Sequence, residues 1–424
     1  MRMKKYKFIS CLLLCILALQ SCLFEDDLVF TNSAAERLTN AIKDETDSLQ
    51  TASNGWIMQY FATEQSGGYN LLVKFNKYGQ AIIAGKSELT QNIYTTDTCH
   101  YEMIGDTGPV LTFNTYSKVL HAFSVPDNSG LGLEGDFEFI VTKVTANQII
   151  LKGKKRGTTI LLTKLPQTIS WQKYLSDLET MDLLMLSKNP PSLTLNYANS
   201  IYSFTYNNNH TFTIQKVGSS TNIPVIAAFV ITTSGIRFQT IQEIEGQKFQ
   251  TMDLSTDKSS LISEENPEFK LIAIEDLAAY LNESTKIWEL NPSELSPNIK
   301  TIYDQILQSC VTKYSASNVK LILKYYLTRK SFELTLTFSG TKTKYEGNLD
   351  LLLTTNTKNA LSISYKGTAD SNGKSFYNNV AGLKDIVNII CSDYLLNTDI
   401  AINPRNIKFT KSQDSNTWFT VICQ

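Results

Sequence analysis

The 424-residue chain predicts an α+β, β-dominated fold of antiparallel meander sheets or barrel-like domains, each with a helix at its start. Three observations predict it. Short β-type runs recur between Gly, Asn and Asp turns. A helical period opens each β-rich stretch. The order helix-then-strands occurs three times, with no residue-level repeat to accompany it. At roughly 100 to 200 residues per domain, the length holds two or three domains with cores of their own.

In chain order, Arg2, Lys4, Lys5 and Lys7 precede the mostly apolar run Phe8 to Leu19. This is the pattern of a secretory signal, too short to span a bilayer as a stable helix. The run ends in Leu19-Gln20-Ser21-Cys22, which resembles the lipobox of bacterial lipoproteins. The resemblance makes Cys22 the acylated first residue, carrying palmitate-type chains. One chain binds a membrane only marginally, so stable anchoring needs two or more. Glu25, Asp26 and Asp27 follow, an acidic run that resembles the export tag of surface-exposed lipoproteins and equally suits a solvated linker. Residues 1–21 are thus expected to be a signal peptide and 22–32 an acidic tether.

Ser33-Ala34-Ala35-Glu36 reads as a capping box, and Leu38, Ala41, Ile42, Glu45 and Leu49 recur at helical spacing, predicting a helix over 34–51. Strands are expected at 56–61, 69–75, 81–84, 110–113, 137–144, 149–151 and 158–162, which makes 33–165 a helix plus an antiparallel β-domain. Trp171, Tyr174, Leu175, Leu178, Met181 and Leu184 predict a second helix, stopped before Pro190-Pro191. The second β-rich segment, 166–284, is expected to be continuous with the first domain, with a hairpin across 207–210 and a closing helix near 274–281. Over 285–424 a C-terminal α+β domain is expected. It opens with a helix carrying Ile299, Ile302, Ile306 and Leu307, alternates polar and apolar residues from Ser331 to Phe338, and has a late helix from Leu383 to Tyr394.

Charge narrows the partners. The chain has 39 basic and 40 acidic residues, and the signal removes four basic ones, leaving 35 − 40 = −5. Nucleic acid is therefore not an expected partner, because phosphate neutralisation needs a concentrated basic surface. Outside the signal and Cys22 remain Cys99, Cys310, Cys391 and Cys423, whose three alternative pairings the sequence leaves open. Cys99-His100 offers too few ligands for zinc, and neither a metal nor a cofactor is expected.

A set of words carries a family likeness. In order they are Ala34-Ala35-Glu36-Arg37, Asn54-Gly55-Trp56 with Tyr60, Gly67-Gly68-Tyr69 with Phe75, Leu111-Thr112-Phe113, Leu120-His121, Gly135-Asp136-Phe137-Glu138-Phe139 and Leu151-Lys152-Gly153. Through them the N-terminal part resembles the uncharacterised Bacteroidetes lipoproteins catalogued as domain of unknown function 4302. The resemblance implies an accessory of SusC/SusD-type nutrient uptake at the outer membrane, facing outward, with a TonB-dependent transporter and a SusD-like lipoprotein as partners. It carries over no catalytic residues. Asn54-Gly55-Trp56 before a meander also resembles lipocalin-like barrels, where a tryptophan near the first strand plugs one end.

Site candidates are few. Glu134, Asp136 and Glu138 alternate, so on an extended strand three carboxylates share a face that suits a cation, a basic peptide or sugar hydroxyls; on a half-buried strand they are equally an ordinary solvated face. His121 joins them if the chain returns beside that strand. The G-x-G-x-x-G of 130–135 precedes a strand and not a helix, so it lacks the dinucleotide context. Lys152, Lys154, Lys155 and Arg156 form a basic loop. Trp288, Tyr325, Tyr326 and Trp418 fall outside the core alternation and are offered as stacking surfaces. No H-E-x-x-H or G-x-S-x-G occurs, which removes the zincin and α/β-hydrolase signatures, and the family resemblance implies a non-catalytic binder of a peptide or glycan. The alternatives are a hydrolase of extracellular glycan or peptide working through distant carboxylates, and a structural or adhesive surface subunit.

Overall fold

The computed structural model describes residues 32–106, 108–125, 133–186, 191–207, 209–219, 223–273, 276–341 and 343–424. Cys22, Glu25, Asp26 and Asp27 lie outside the described residues, as does the start of the 130–135 glycine run. Among the described residues no helix is long and apolar enough to cross a membrane.

Three closed eight-stranded antiparallel barrels follow one another along the chain. The first comprises β1 (Trp56–Phe61), β2 (Gly68–Phe75), β3 (Gln80–Gly85), β4 (Thr95–Gly105), β5 (Pro109–Phe113), β6 (Glu138–Val144), β7 (Gln148–Gly153) and β8 (Thr159–Lys164), and β1 closes it against β8. Helix α1 (Ala34–Leu49) precedes it and lies against β4 and β5. Ser33 caps that helix by accepting from the Glu36 N–H at 3.2 Å. Alternation along each strand sends Trp56, Met58, Leu71, Val73, Leu111, Phe139 and Leu151 inward, and closure removes the sheet edge that would otherwise template aggregation.

Helix α2 (Trp171–Leu186) leads to the second barrel, β9 (Leu193–Tyr197) through β10 (Ser200–Asn207), β11 (Thr211–Lys216), β12 (Val225–Ile231), β13 (Gly235–Ile244), β14 (Gln247–Leu254), β15 (Ser260–Ser263) and β16 (Lys270–Ile272). Its core takes in Leu72 and Ala84 of the first barrel, but its sheet closes on itself, β16 pairing with β9. The reason is geometric: eight short strands with their own phenylalanine core, among them Phe204, Phe212, Phe229, Phe238 and Phe249, satisfy their hydrogen bonds only by closing.

After α3 (Leu277–Leu281) the third barrel runs β17 (Ile287–Leu295), α4 (Pro297–Tyr314), β18 (Ser317–Tyr326), β19 (Ser331–Ser339), β20 (Lys344–Thr357), β21 (Ala360–Thr368), α5 (Ser371–Asn379), α6 (Leu383–Ile390), β22 (Asp393–Asn397), β23 (Asn406–Lys411) and β24 (Asp414–Cys423), and β17 closes on β24. Two details depart from the sequence pattern. Tyr394 sits on β22 and not in the late helix, where its buried hydroxyl donates to the Ile389 carbonyl. On β19 the polar side is buried as well as the apolar one, because Arg329 folds back from the β18–β19 turn to grip Glu333 through two 2.6 Å bonds while Thr335 donates to Asn348 at 2.6 Å. Such a bidentate partner offsets the cost of burying the carboxylate.

Among the described residues Cys99, Cys310 and Cys423 are buried and Cys391 is half-buried. Burial pushes the Cys310 and Cys391 thiols up to about 11, so they pack as small apolar groups. Of the aromatic residues offered as stacking surfaces, Trp288 is fully buried, Tyr326 lies under the Arg329 guanidinium at 4.2 Å, and Lys408 covers the Trp418 ring at 4.1 Å. Tyr325 packs against the third core.

Candidate functional site

The carboxylate ladder is not a ladder. Strand β6 begins only at Glu138, and Glu134 has a left-handed backbone with φ 57°, so the three side chains do not share one strand face. Each has its own partner in the basic loop after β7. Arg156 reaches the Glu134 carboxylate at 2.6 Å, and Lys154 lies 3.3 Å from Glu138 and 3.0 Å from Asp106.

Asp136, 5% exposed, turns into that loop and accepts the Lys155 and Arg156 backbone N–H groups at 3.2 and 2.8 Å. It can enter because Gly153 has no side chain, since a Cβ there would lie 2.3 Å from Asp136 Oδ2. The Asp136 carbonyl meanwhile accepts the buried Tyr60 hydroxyl at 2.9 Å. Tyr60, Gly135, Asp136 and Gly153 are thus one lock inside the first barrel, and the acidic run and the basic loop, separate in the sequence, are each other's counter-ions.

His121 does return beside this segment, but it meets Phe137 and not the carboxylates. Its ring lies between Tyr116 and Phe137 at centroid distances of 5.5 and 5.0 Å, and its Nδ1 accepts the Ser117 N–H at 3.0 Å. Burial holds its pKa below the ordinary value, partly offset by a hydrogen bond to the Phe113 backbone. The neutral ring is a packing element. Among the described residues no three His, Cys, Asp or Glu side chains are placed together to hold a metal ion.

A cleft that sequence reasoning missed lies where the first two barrels meet α2. The barrels touch through glycines: a Cβ on Gly67 would strike the Asn209 carbonyl oxygen at 1.9 Å, and one on Gly68 would strike Phe61 and Val230. Around this contact Asn70 Nδ2 donates to the Ile231 carbonyl at 2.8 Å, and the Arg237 guanidinium donates to Gln59 at 3.2 Å. Beside it opens a cleft of about 320 Å³. Its apolar lining comes from Leu175, Leu178 and Leu183 of α2 with Ile231 of β12. Its polar lining is Tyr69, Lys86, Glu88 and His210, with Glu179 and Asp182 interleaved among the leucines of α2.

Those polar groups are arranged in pairs. Lys86 and Glu179 form an ion pair at 2.5 Å, the Tyr69 hydroxyl donates to Glu88, and His210 Nε2 lies 3.0 Å from Asp182 Oδ1. Burial first, and Glu88 second, keep Tyr69 far above the ordinary phenol range, so it remains a donor. Tyr206 is pushed up to about 12 by burial and by the Asp182 charge. The cleft depends on residues 68–70, 86–92, 175–183, 210 and 231, and no local word in the sequence announces such a set. Gly68 and Tyr69 stood out as part of a family word, Leu175 and Leu178 as the apolar face of a helix and His210 as part of a hairpin turn, none of them as a site.

Comparison with known proteins adds a family but no activity. No curated protein matches the chain. Among solved structures, the β sliding clamp of C. crescentus aligns over 91% of this chain and 96% of its own at 10% identity, with a TM-score of 0.14. The β subunit of DNA polymerase from Streptococcus pyogenes aligns over 90% and 98% at 12% identity and TM-score 0.15, and the DNA polymerase III β subunit of Thermotoga maritima over 91% and 97% at 9% and 0.14. At those scores the likeness carries no argument. The family model described as Domain of unknown function (DUF4302) matches residues 26–256, from before α1 to beyond β14 and so well past the residues that carried the resemblance. Covering more than half of the chain, that match identifies it: the protein belongs to the DUF4302 family.

Proposed function

We propose that the protein is an outer-membrane lipoprotein, displayed outward, that binds a peptide or glycan ligand as a non-catalytic accessory of a SusC/SusD-type nutrient uptake system. The observation that carries this reading is the N-terminal arrangement: Arg2 to Lys7, an apolar run to Leu19, then Ser21-Cys22 and the acids Glu25, Asp26 and Asp27. Residues 22–32 form an eleven-residue tether. At no more than about 3.3–3.6 Å per residue that length keeps the start of α1 within about 40 Å of an acylated cysteine. The cleft between the first two supports the binding part of the reading, because its carboxylates are each held by a fixed donor or ion pair, an arrangement suited to holding a ligand.

Cell fractionation of Cys22→Ala tests the anchor. Release from the membrane and loss of labelling by radioactive palmitate are expected, and quantitative retention in the membrane would end the lipoprotein reading. Replacement of Glu25, Asp26 and Asp27 by alanine should abolish protease accessibility on intact cells. A mild-detergent pull-down from native membranes should recover a TonB-dependent transporter with its SusD-like partner; recovery of the protein alone would count against the uptake role.

A further inference from the structure

We propose that the cleft between the first two barrels is a binding site for a cationic group on an aliphatic stem: the ammonium or guanidinium of a basic peptide side chain, or of a free polyamine. The assignment rests on the reading of the protein as a ligand-binding component and deepens it.

The charge balance of the cleft is uneven. Three carboxylates, Glu88, Glu179 and Asp182, face one ammonium, Lys86. Lys86 and Glu179 neutralise each other. Glu88 and Asp182 are held only by Tyr69 and by His210, and among the described residues neither pairs with a lysine or an arginine. One oxygen of each is fixed by that donor, and Glu88 Oε2 and Asp182 Oδ2 keep no protein donor among the described residues. Two oriented carboxylates without a cation are thus built into the same concave space.

The apolar lining decides the rest of the ligand. Leu175, Leu178 and Ile231 lie in the same cleft as the carboxylates, and the side chain that satisfies both kinds of lining carries a charged head on a hydrocarbon stem, as lysine and arginine do. An anion would meet two uncompensated negative charges. A neutral sugar would strip water from those carboxylates without returning a counter-charge. The volume of about 320 Å³ is at the lower end of the ~300–1,000 Å³ of small-ligand pockets, suited to one long side chain with part of its neighbours. Glu88 comes from the first barrel and Asp182 from α2, so the site exists only while the two are docked.

The test is calorimetric titration of the full-length protein in mild detergent with spermidine and with the peptide acetyl-Leu-Lys-Leu-amide, and with the Gln and Glu versions of that peptide. The lysine peptide should bind at least about tenfold more tightly than the glutamine peptide, and the glutamate peptide should not bind. Each of Glu88→Gln and Asp182→Asn should weaken binding about three- to fivefold, and the two together about tenfold or more, with the loss mimicked by added salt. Tighter binding of the peptide identifies a peptide source, and equal or tighter binding of spermidine a polyamine. Affinity independent of ligand charge, affinity unchanged in the double variant, or no binding of either cation at millimolar concentration would overturn the proposal. Circular dichroism checks the fold of each variant, and Glu88→Gln, on an exposed turn, carries the test if Asp182→Asn disturbs packing. Cation binding by a protein whose Cys22→Ala variant stays in the membrane would end the lipoprotein reading and leave the site standing; release of that variant, with no cation bound by the unsubstituted protein, would do the reverse.

Discussion

The indole Nε1 of Trp56 donates to the Leu49 carbonyl at 2.7 Å, tying the last residue of α1 to the first strand of the first barrel. The third barrel has the same device, with Trp288 donating to the Leu281 carbonyl at 3.1 Å across the end of α3. Both indoles are fully buried and both bonds span seven residues. The chemistry explains the choice of residue. The last carbonyls of a helix have no intrahelical donor, and a buried tryptophan has one donor to place. The segments between, Gln50 to Gly55 and Asn282 to Ile287, share no words, so the recurrence is one of geometry.

Trp56→Phe should therefore do more than trim a ring. It leaves the Leu49 carbonyl without its donor and should destabilise the protein by about 2–3 kcal/mol, while Trp56→Ala should cost about 3–5 kcal/mol. Trp288→Phe should behave alike. Urea unfolding followed by circular dichroism measures both, and an unchanged midpoint for Trp56→Phe would mean that the indole bond contributes nothing.

Asp136 and its neighbours should separate sharply. Asp136→Ala removes the acceptor of two backbone N–H groups inside a closed turn and should cost about 1–3 kcal/mol, whereas Glu134→Gln and Glu138→Gln, partly exposed ion-pair members, should each cost under about 1 kcal/mol. Thermal melts of the three variants compare them. Equal small effects would show that the turn does not need its carboxylate.

Glu45 should make stability depend on pH. It lies on the apolar stripe of α1 with Oε2 buried and unpartnered, and burial, with the Asp44 charge, raises its pKa from 4.5 to about 7. A raised carboxyl binds its proton more readily folded than unfolded, so its ionisation penalises the fold fully above about pH 7, and the penalty fades as pH falls toward 4.5. Glu45→Gln should raise the melting temperature at pH 8 and leave it unchanged or lower at pH 4. A Tm gain of equal size at both pH values would rule this out.

Much of the fold was legible locally. The period of 3.6 in Leu38, Ile42, Glu45 and Leu49 and the period of 2 in the short runs from Trp56 onward are set by backbone geometry, so they place α1 and the strands of the first barrel to within a few residues. Where sequence reading failed, distant residues decided. Glu134, Asp136 and Glu138 looked like one acidic face because alternation assumes a strand, and the left-handed Glu134 and the partners at 154–156 broke that assumption. Glu333, on the polar side of an alternating run, is buried because Arg329 folds over it.

The sequence by itself determined most of the secondary structure, the β-dominated class and the family words, all of which depend on residues near one another in the chain. Only the tertiary structure decided that each meander closes into its own barrel and that Gly67 and Gly68 admit the second barrel against the first. It also brought Glu88, Asp182 and His210 into one cleft. Closure and docking depend on contacts between residues scores of positions apart, and a one-dimensional period carries no record of which strand will meet which.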